Sequence, residues 1–383
     1  MTETRVHTET GSLADGRQVI YFDTAPGAGR ASFADKRDLG ERAEAGQLRY
    51  DPLRDEWIAV SAGRNARPQL PVACPLCPSE GHELTEIPAP DYDVAVFENR
   101  FPSFGGAAGE TELFRGGAVG ETEPPGDAAV GGTEPPGLEI SVPATGRCEV
   151  VCFSSHHDAS FVDLPPERVE LVVRALAART ADLSARGDVA QVFCFENRGV
   201  EIGVTLHHPH GQIYGYPYVT PQTRAHLDAA VRHRETTGRN LFGDILAAEQ
   251  AGPRVVAAND HWTAFVPYAA RWPFEVHIYP NERFADLAEL PDAHIAAFAP
   301  LYLEVLRRFD GAFPGSGPMP YMSGWHQAPV NEHRDLAWLR LEIVSTRRAA
   351  GKVKFLASSE SVMGGFVNDL GPEKAAQILR EAL

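Results

Sequence analysis

Three histidines and a glutamine crowd the segment "HHPHGQIYG", His207 to Gly215. In an extended chain, residues i, i+2 and i+4 share a face. His208, His210 and Gln212 therefore project to one side, with His207, Pro209 and Gly211 on the other. Two imidazoles and a carboxamide on one face form a directed polar array, suited to metal ligation or to nucleophilic attack. Pro209 has no N–H for a ladder, so the segment belongs at a strand start, an edge or a distorted stretch. Gly203 and Gly211 are expected to let a ligand approach the backbone closely. The plainer alternative is a strand with fortuitous histidines.

Cys74-Pro-Leu-Cys77 adds two thiols. Zinc takes Cys and His in tetrahedral structural sites, and His156 or His157, together with His208, are the candidate partners. Two buried thiols or a redox pair are the alternatives, although "CPLC" is not set in a thioredoxin-like strand–helix context. Arg64 and Arg67 follow a strand end, and Arg347, Arg348, Lys352 and Lys354 cluster further on. Such basic islands suit a phosphate or nucleotide, or are solvated surface charge.

The elements that must position these groups are legible in part. "CEVVCF" (148–153), "QVFCFEN" (191–197) and "GQIYGYPYV" (211–219) read as strands. The stretch 165–183 has apolar residues at helical spacing with Pro near its start. The second half repeats this order. "FEVHIYPNERFADL" resembles "CEVVCFSSHHDASFVDL": each has Glu-Val, a short strand, Phe-x-Asp-Leu, a proline and a long helix. The expected fold is α+β, with two similar units, each an antiparallel sheet with packed helices, in one subunit. The rough counterpart of His208-Pro-His210 is Arg340-Leu-Glu342, which assigns the chemistry to the first half. The expected divisions are a loose lead-in at 1–45 with one hairpin, a first unit at 46–220 and a second at 221–383. Within the first unit, 104–146 holds the near-repeats "GGAVGETEPPG" and "AAVGGTEPPG". It reads as a low-complexity surface insertion with little to bury.

Composition narrows the classes. The chain has 383 residues, 43% hydrophobic and 23% charged, enough for two ordinary domains. Its net charge of −17 argues against nucleic-acid and anionic-membrane partners. No apolar run is long enough to span a bilayer and the first residues are polar and acidic, so a cytoplasmic enzyme is expected. Five cysteines in a chain of this length are not a disulfide framework.

At the motif level, "FENRGVEIGVTLHHPHGQIYGYP" resembles the active-site segment of the galactose-1-phosphate uridylyltransferases, in the histidine-triad superfamily. The likeness continues through "CPLCPSEG", "VFENRFPSF", "VVCFSSHHD", "HWTAFVPYAARWPFEVHIYP", "GWHQAP" and "KVKFLASSES", in family order from about residue 45 to 380. The resemblance implies transfer of UMP from UDP-glucose to a hexose 1-phosphate by a ping-pong route, with His210 as the nucleophile. It implies that Gln212 stabilises the uridylyl-histidine, where related hydrolases carry a third histidine. Gln cannot supply a proton, so transfer is favoured over hydrolysis. It makes Cys74, Cys77, His157 and His208 structural zinc ligands, with His156 in reserve if the register slips. Arg64, Arg67, Asn99, Asn197, Gly203 and Thr205 fall where the family binds uridine and phosphate. Lys354, Phe355 and Glu360 fall where it reaches phosphate and hexose in the partner subunit, the family being dimeric.

Two departures from the family pattern stand out. Some members hold a second metal with one Glu and three His. Here His326 persists, but the next two positions are Arg340 and Glu342, and the Glu falls near His226, so a second metal is not expected. The family's hexose-contacting Gln is Val367 or Phe366 here, which leaves hexose specificity open. The alternative activity is nucleotidyl transfer or phosphorolysis on adenine dinucleoside polyphosphates.

Overall fold

Alternating apolar residues make the strands, and one sheet collects most of them. The computed structural model describes residues 6–40, 46–66, 74–105 and 138–383. Arg67 and both near-repeats of the Gly/Pro/Glu-rich tract lie outside the described residues. In chain order the strands are β1 (His7–Ser12), β2 (Gln18–Asp23), β3 (Gln47–Asp51), β4 (Glu56–Val60), β5 (Val94–Glu98), β6 (Ser141–Pro143) and β7 (Arg147–Cys152). Helix α1 (Pro166–Ser184) follows, then β8 (Gln191–Arg198), β9 (His210–Tyr216), α2 (Pro221–Thr237) and α3 (Leu241–Gln250). The second half has β10 (Val255–Ala258), β11 (Trp262–Phe265), β12 (Phe274–Pro280), α4 (Asp292–Gly311), β13 (Tyr321–His326) and β14 (Arg340–Ser345). A short hairpin, β15 (Arg347–Ala349) and β16 (Lys352–Val353), leads to α5 (Ser358–Ser361) and α6 (Pro372–Glu381).

The main sheet has 11 strands in the order β1-β2-β5-β7-β9-β8-β13-β14-β12-β11-β10. From the central β8–β13 seam outward, β8-β9-β7-β5-β2 on one side mirrors β13-β14-β12-β11-β10 on the other. The duplication expected from sequence is therefore two similar units joined edge to edge, with Arg198 opposite Tyr321 and Cys194 opposite Trp325 across the seam. Joining the units this way removes two exposed strand edges.

Helices cover one face. Pro165 and Pro166 start α1, where a missing N–H costs nothing. Val169, Val172, Val173 and Leu176 then form its apolar stripe. These meet Val94, Val96, Val151, Val192 and Ile213 of the first unit, while Phe298, Tyr302 and Leu306 of α4 meet the second in the same core. The opposite face is covered differently in each half. In the first, Ala95, Phe97, Val150 and Cys152 lie under the segment bearing Leu76, Ile87 and Tyr92. In the second, Phe265 and Tyr279 lie under Ala230 of α2 and Phe242 and Leu246 of α3.

Three expectations need correction. The lead-in is not loose: its hairpin forms the edge of the main sheet, and Arg17 is buried, bonded to Asp15, Glu86 and the Glu98 carbonyl. The insertion is narrower than 104–146. Phe104 is buried against the rings of Tyr214, Tyr216 and Tyr218, and β6 pairs with β3. The Glu-Val signatures of the two halves are not equivalent. Glu149 meets Arg179 of α1 on the helix face, whereas Glu275 lies beside His277 on the other. A one-residue offset in a strand reverses the face.

Candidate active site and metal centre

The segment over the first unit's open face brings four ligand groups together. One donor atom from each of Cys74, Cys77, His157 and His208 lies within 4.8 Å of all the others. Cys77 Sγ is 3.4 Å from His157 Nδ1 and 3.6 Å from His208 Nδ1. Tetrahedral zinc with Zn–S of ~2.3 Å and Zn–N of ~2.05 Å requires S···N separations of about 3.6 Å. The donor set and its spacing therefore fit a structural zinc ion. His157, not His156, completes the quartet. Burial, then the neighbouring Cys74, pushes the Cys77 thiol up to about 12, a cost that a bound dication offsets. Burial pushes His208 down to about 4, leaving it neutral, the form that ligates.

Behind the quartet, His208 is held by its other nitrogen. Nε2 lies 2.8 Å from the Ser154 carbonyl and 2.8 Å from the Tyr92 hydroxyl, which itself donates to the Leu76 carbonyl at 3.0 Å. Nε2 is thus the protonated nitrogen, and Nδ1 faces the thiols with its lone pair. Sequence reasoning missed Tyr92 and Ser154. One acts through a backbone carbonyl and the other is a lone tyrosine in "PDYD".

His210 opens β9, beside Cys152 of β7. Its Nδ1 donates to the His208 carbonyl at 2.7 Å. In that tautomer Nε2 carries the lone pair, as a nucleophile requires. His208 and His210 are therefore linked through one peptide carbonyl. Imidazolium formation at His210 would strengthen this hydrogen bond.

A cleft of about 360 Å³ opens over His210, lined also by Arg64, Asn197, Gly203, Thr205 and Gln212. These five were expected at the site. Asn65, Phe195, Val204 and Leu206, which were not, line it too. Arg64 donates to Ser103 Oγ at 2.8 Å, and no carboxylate pairs with it among the described residues. A guanidinium held by neutral groups keeps its charge for an anionic ligand. Gln212 Oε1 accepts from Tyr214 at 3.5 Å, which leaves the amide N–H groups as its donors toward the cleft. Gly203 is in the left-handed region, at φ 83°, where its loop turns. Gly211 has a different reason: a Cβ there would meet the Phe195 carbonyl at 2.8 Å and the Phe153 ring at 2.9 Å. Packing against the helix side demands that glycine, which also lines the cleft as expected.

Other expected residues lie elsewhere. Asn99 is not among the cleft residues, and its Oδ1 accepts from the Phe101 N–H at 2.9 Å. Lys354 and Glu360 are buried and paired with each other at 2.6 Å, and the lysine holds the Glu360 carboxyl down at about 2. With Phe355, which is 82% exposed, they line a separate surface cleft. The Glu-plus-three-His set of some family members is not assembled. His226 Nδ1 accepts from Arg340 at 2.8 Å, and the Arg340 guanidinium lies over the Phe242 ring. A fixed cation stands where that set would need a ligand.

A duplicated antiparallel unit, with His-x-His at the head of one inner strand and a polar cleft over the second histidine, defines a protein of histidine-triad architecture. Residues 38–220 match the family model described as galactose-1-phosphate uridyl transferase, N-terminal domain, and residues 226–383 match its C-terminal domain. The chain is 41% identical to the galactose-1-phosphate uridylyltransferase of Streptomyces lividans, covering 96% of each chain. It is 34% identical to that of Thermotoga maritima, over 88% of this chain and 98% of the relative. A solved uridylyltransferase structure superposes with a TM-score of 0.73 at 33% identity, over 88% of this chain and 98% of that one. The ADP-glucose phosphorylase of Arabidopsis thaliana shares the fold, with a TM-score of 0.65 at 22% identity over 87% and 97% of the two chains. The chain belongs to the galactose-1-phosphate uridylyltransferase family.

Proposed function

We propose that this chain moves UMP from UDP-glucose to galactose 1-phosphate through a covalent uridylyl-His210. The observation that carries this reading is the 2.7 Å hydrogen bond from His210 Nδ1 to the His208 carbonyl, which puts the lone pair on Nε2 of a residue lining a cleft with Arg64 and Gln212. Nε2 attacks the α-phosphorus, the bond to the bridging oxygen breaks, and glucose 1-phosphate leaves. The new imidazolium keeps its Nδ1 proton on the His208 carbonyl. Gln212 donates its amide to the phosphoryl oxygens. A phosphate oxygen of galactose 1-phosphate then attacks the same phosphorus, the N–P bond breaks, and UDP-galactose forms. Neither leaving group needs a proton, which suits a site with Gln212 instead of a general acid.

Arg64, Arg67, Asn197, Gly203 and Thr205 bind the nucleotide in this reading. Asn99 holds the turn whose Phe101 carbonyl and Ser103 hydroxyl receive Arg64. Zinc at Cys74, Cys77, His157 and His208 is structural: it fixes the strand head and takes no part in bond making. The chain works as a cytoplasmic homodimer, in which Lys354, Phe355 and Glu360 of one subunit reach the sugar phosphate in the other's cleft. The exposure of Phe355 supports that role. Domain limits near residues 46, 220 and 221 follow the duplication. Among the described residues no helix is long and apolar enough to cross a membrane.

The test is partial exchange. With UDP-glucose and labelled glucose 1-phosphate alone, label should enter UDP-glucose without any galactose 1-phosphate. Exchange that requires the second sugar phosphate would overturn the covalent route. Faster exchange with an adenylyl donor than with UDP-glucose would favour the adenine-nucleotide alternative.

A further inference from the structure

We propose that the second half holds a divalent cation of its own, bound by Glu275, His277 and Glu342. This set differs from the one-Glu, three-His arrangement tested above, since two of its three residues lie on β12. His277 pairs directly with Glu342 across β12 and β14, and Glu275 is two residues before His277. Strand periodicity therefore puts all three donors on one face, the face away from α1 and α4. A nitrogen from His277 and one oxygen from each carboxylate lie within 4.8 Å of one another. His277 Nε2 is 3.0 Å from Glu275 Oε1 and 3.7 Å from Glu342 Oε2. Ligands at ~2.0–2.2 Å from a metal are separated by about 3.0–3.6 Å, so the cluster needs only a small contraction around an ion.

The ligands are held by groups outside the cluster. Glu275 is buried, and its Oε2 accepts from the Arg271 and Trp272 N–H groups at 2.7 and 3.1 Å, which leaves Oε1 toward His277. His326 Nε2 donates to Glu342 Oε2 at 3.0 Å. Hydrogen-bonded carboxylates of this kind are the usual support around a metal. Arg340 shares the face, but its guanidinium is directed to His226 and to the Phe242 ring. Two carboxylates against one guanidinium leave an excess of negative charge.

The fold supplies an independent argument. β12 and β14 are the second-half equivalents of β7 and β9, and the His277–Glu342 pair stands where Cys152–His210 stands in the first half, on the corresponding face and two residues along the strand from the position of the first cluster's His208. Each half thus carries a metal-ligand cluster at the same strand pair. The second lacks thiolates, so it suits Mn²⁺, Fe²⁺ or Zn²⁺ and discriminates less against harder ions than the first. Its effect would be to pin β12 to β14 and, through His326, to β13, the strand that pairs with β8.

The experiment uses the intact zinc-containing protein and Mn²⁺ as probe, followed by electron paramagnetic resonance and calorimetry, with zinc content measured in parallel. The wild type should bind one Mn²⁺ per chain with one zinc retained. His277→Gln and Glu342→Gln should abolish Mn²⁺ binding and keep the zinc. His326→Gln should weaken binding by about 10-fold or more, as loss of a ligand's outer hydrogen bond does. Should one variant fail to fold, the wild-type stoichiometry still decides. A wild type that binds no Mn²⁺, Co²⁺ or Zn²⁺ beyond the first ion overturns the proposal, as does Mn²⁺ binding unchanged in both ligand variants. Uridylyl exchange is unaffected by that outcome, so the two readings fail separately.

Discussion

Gly211→Ala tests the link between packing and chemistry. The added Cβ would sit 2.8 Å from the Phe195 carbonyl oxygen, 2.9 Å from Phe153 Cζ and 3.3 Å from a Val151 methyl. Ordinary contacts are about 3.5 Å or longer, so the overlap exceeds half an ångström against backbone that cannot rotate away. Overpacking of this kind costs about 1–3 kcal/mol, or a melting temperature about 1–4 °C lower in a chain of this size. The strain is relieved by β9 moving away from the helix side, and the next residue back is His210. A displacement of a few tenths of an ångström at a nucleophile should slow its reaction about 10-fold, given that 1 Å costs ~100-fold. Rapid-quench uridylylation by UDP-glucose and thermal unfolding measure both effects. Gly215→Ala is the control on the same strand, because its closest contact is a Val189 side chain rather than backbone and it lies away from His210. Wild-type stability and labelling rate in Gly211→Ala would refute the reasoning, as would equal damage from Gly215→Ala.

Burial pushes the Glu196 carboxyl up to about 7, so its folded pKa exceeds the unfolded value near 4.3. Its stabilising contribution is complete below about pH 4.3 and is lost as pH rises through 7. Glu196→Gln should therefore flatten the stability profile over that range and gain up to roughly 3 kcal/mol at pH 8, read by urea unfolding at several pH values. Cys77→Ser should lower zinc content below one per chain and reduce exchange, since His208 and the carbonyl that holds His210 lose their anchor; full zinc with full activity would contradict this. Gln212→His should raise UDP-glucose hydrolysis relative to transfer, measured as UMP release without an acceptor. His210→Gly should lose exchange and regain UMP transfer to added imidazole.

Much of the first unit was legible because its signals are local. His208, His210 and Gln212 lie in one strand segment, and Cys74 with Cys77 in one turn, so residue type and spacing carried the reading. The choice of His157 over His156 was not local. It depends on the turn after β7, where the His156 N–H bonds to Ser154 Oγ. Gly211 does line the cleft, as its place in the motif suggests, but its packing against Phe153 and the Phe195 carbonyl is a contact no one-dimensional pattern reveals. The Glu149 and Glu275 signatures looked alike and face opposite sides, since text similarity is blind to a one-residue offset. Glu275, His277 and Glu342 come from strands far apart in the chain, and only their pairing makes them a cluster. Lys354 and Glu360 carried a substrate role by resemblance, but within one subunit they neutralise each other.

The central claim is that His210 carries the uridylyl group. Mass spectrometry of the protein incubated with UDP-glucose alone, followed by peptide mapping at a pH that preserves the N–P bond, tests it most directly. The account predicts a UMP adduct on the peptide bearing His208-Pro-His210, located on His210 and discharged by galactose 1-phosphate. An adduct on another residue, or an active enzyme that never forms one, would contradict it.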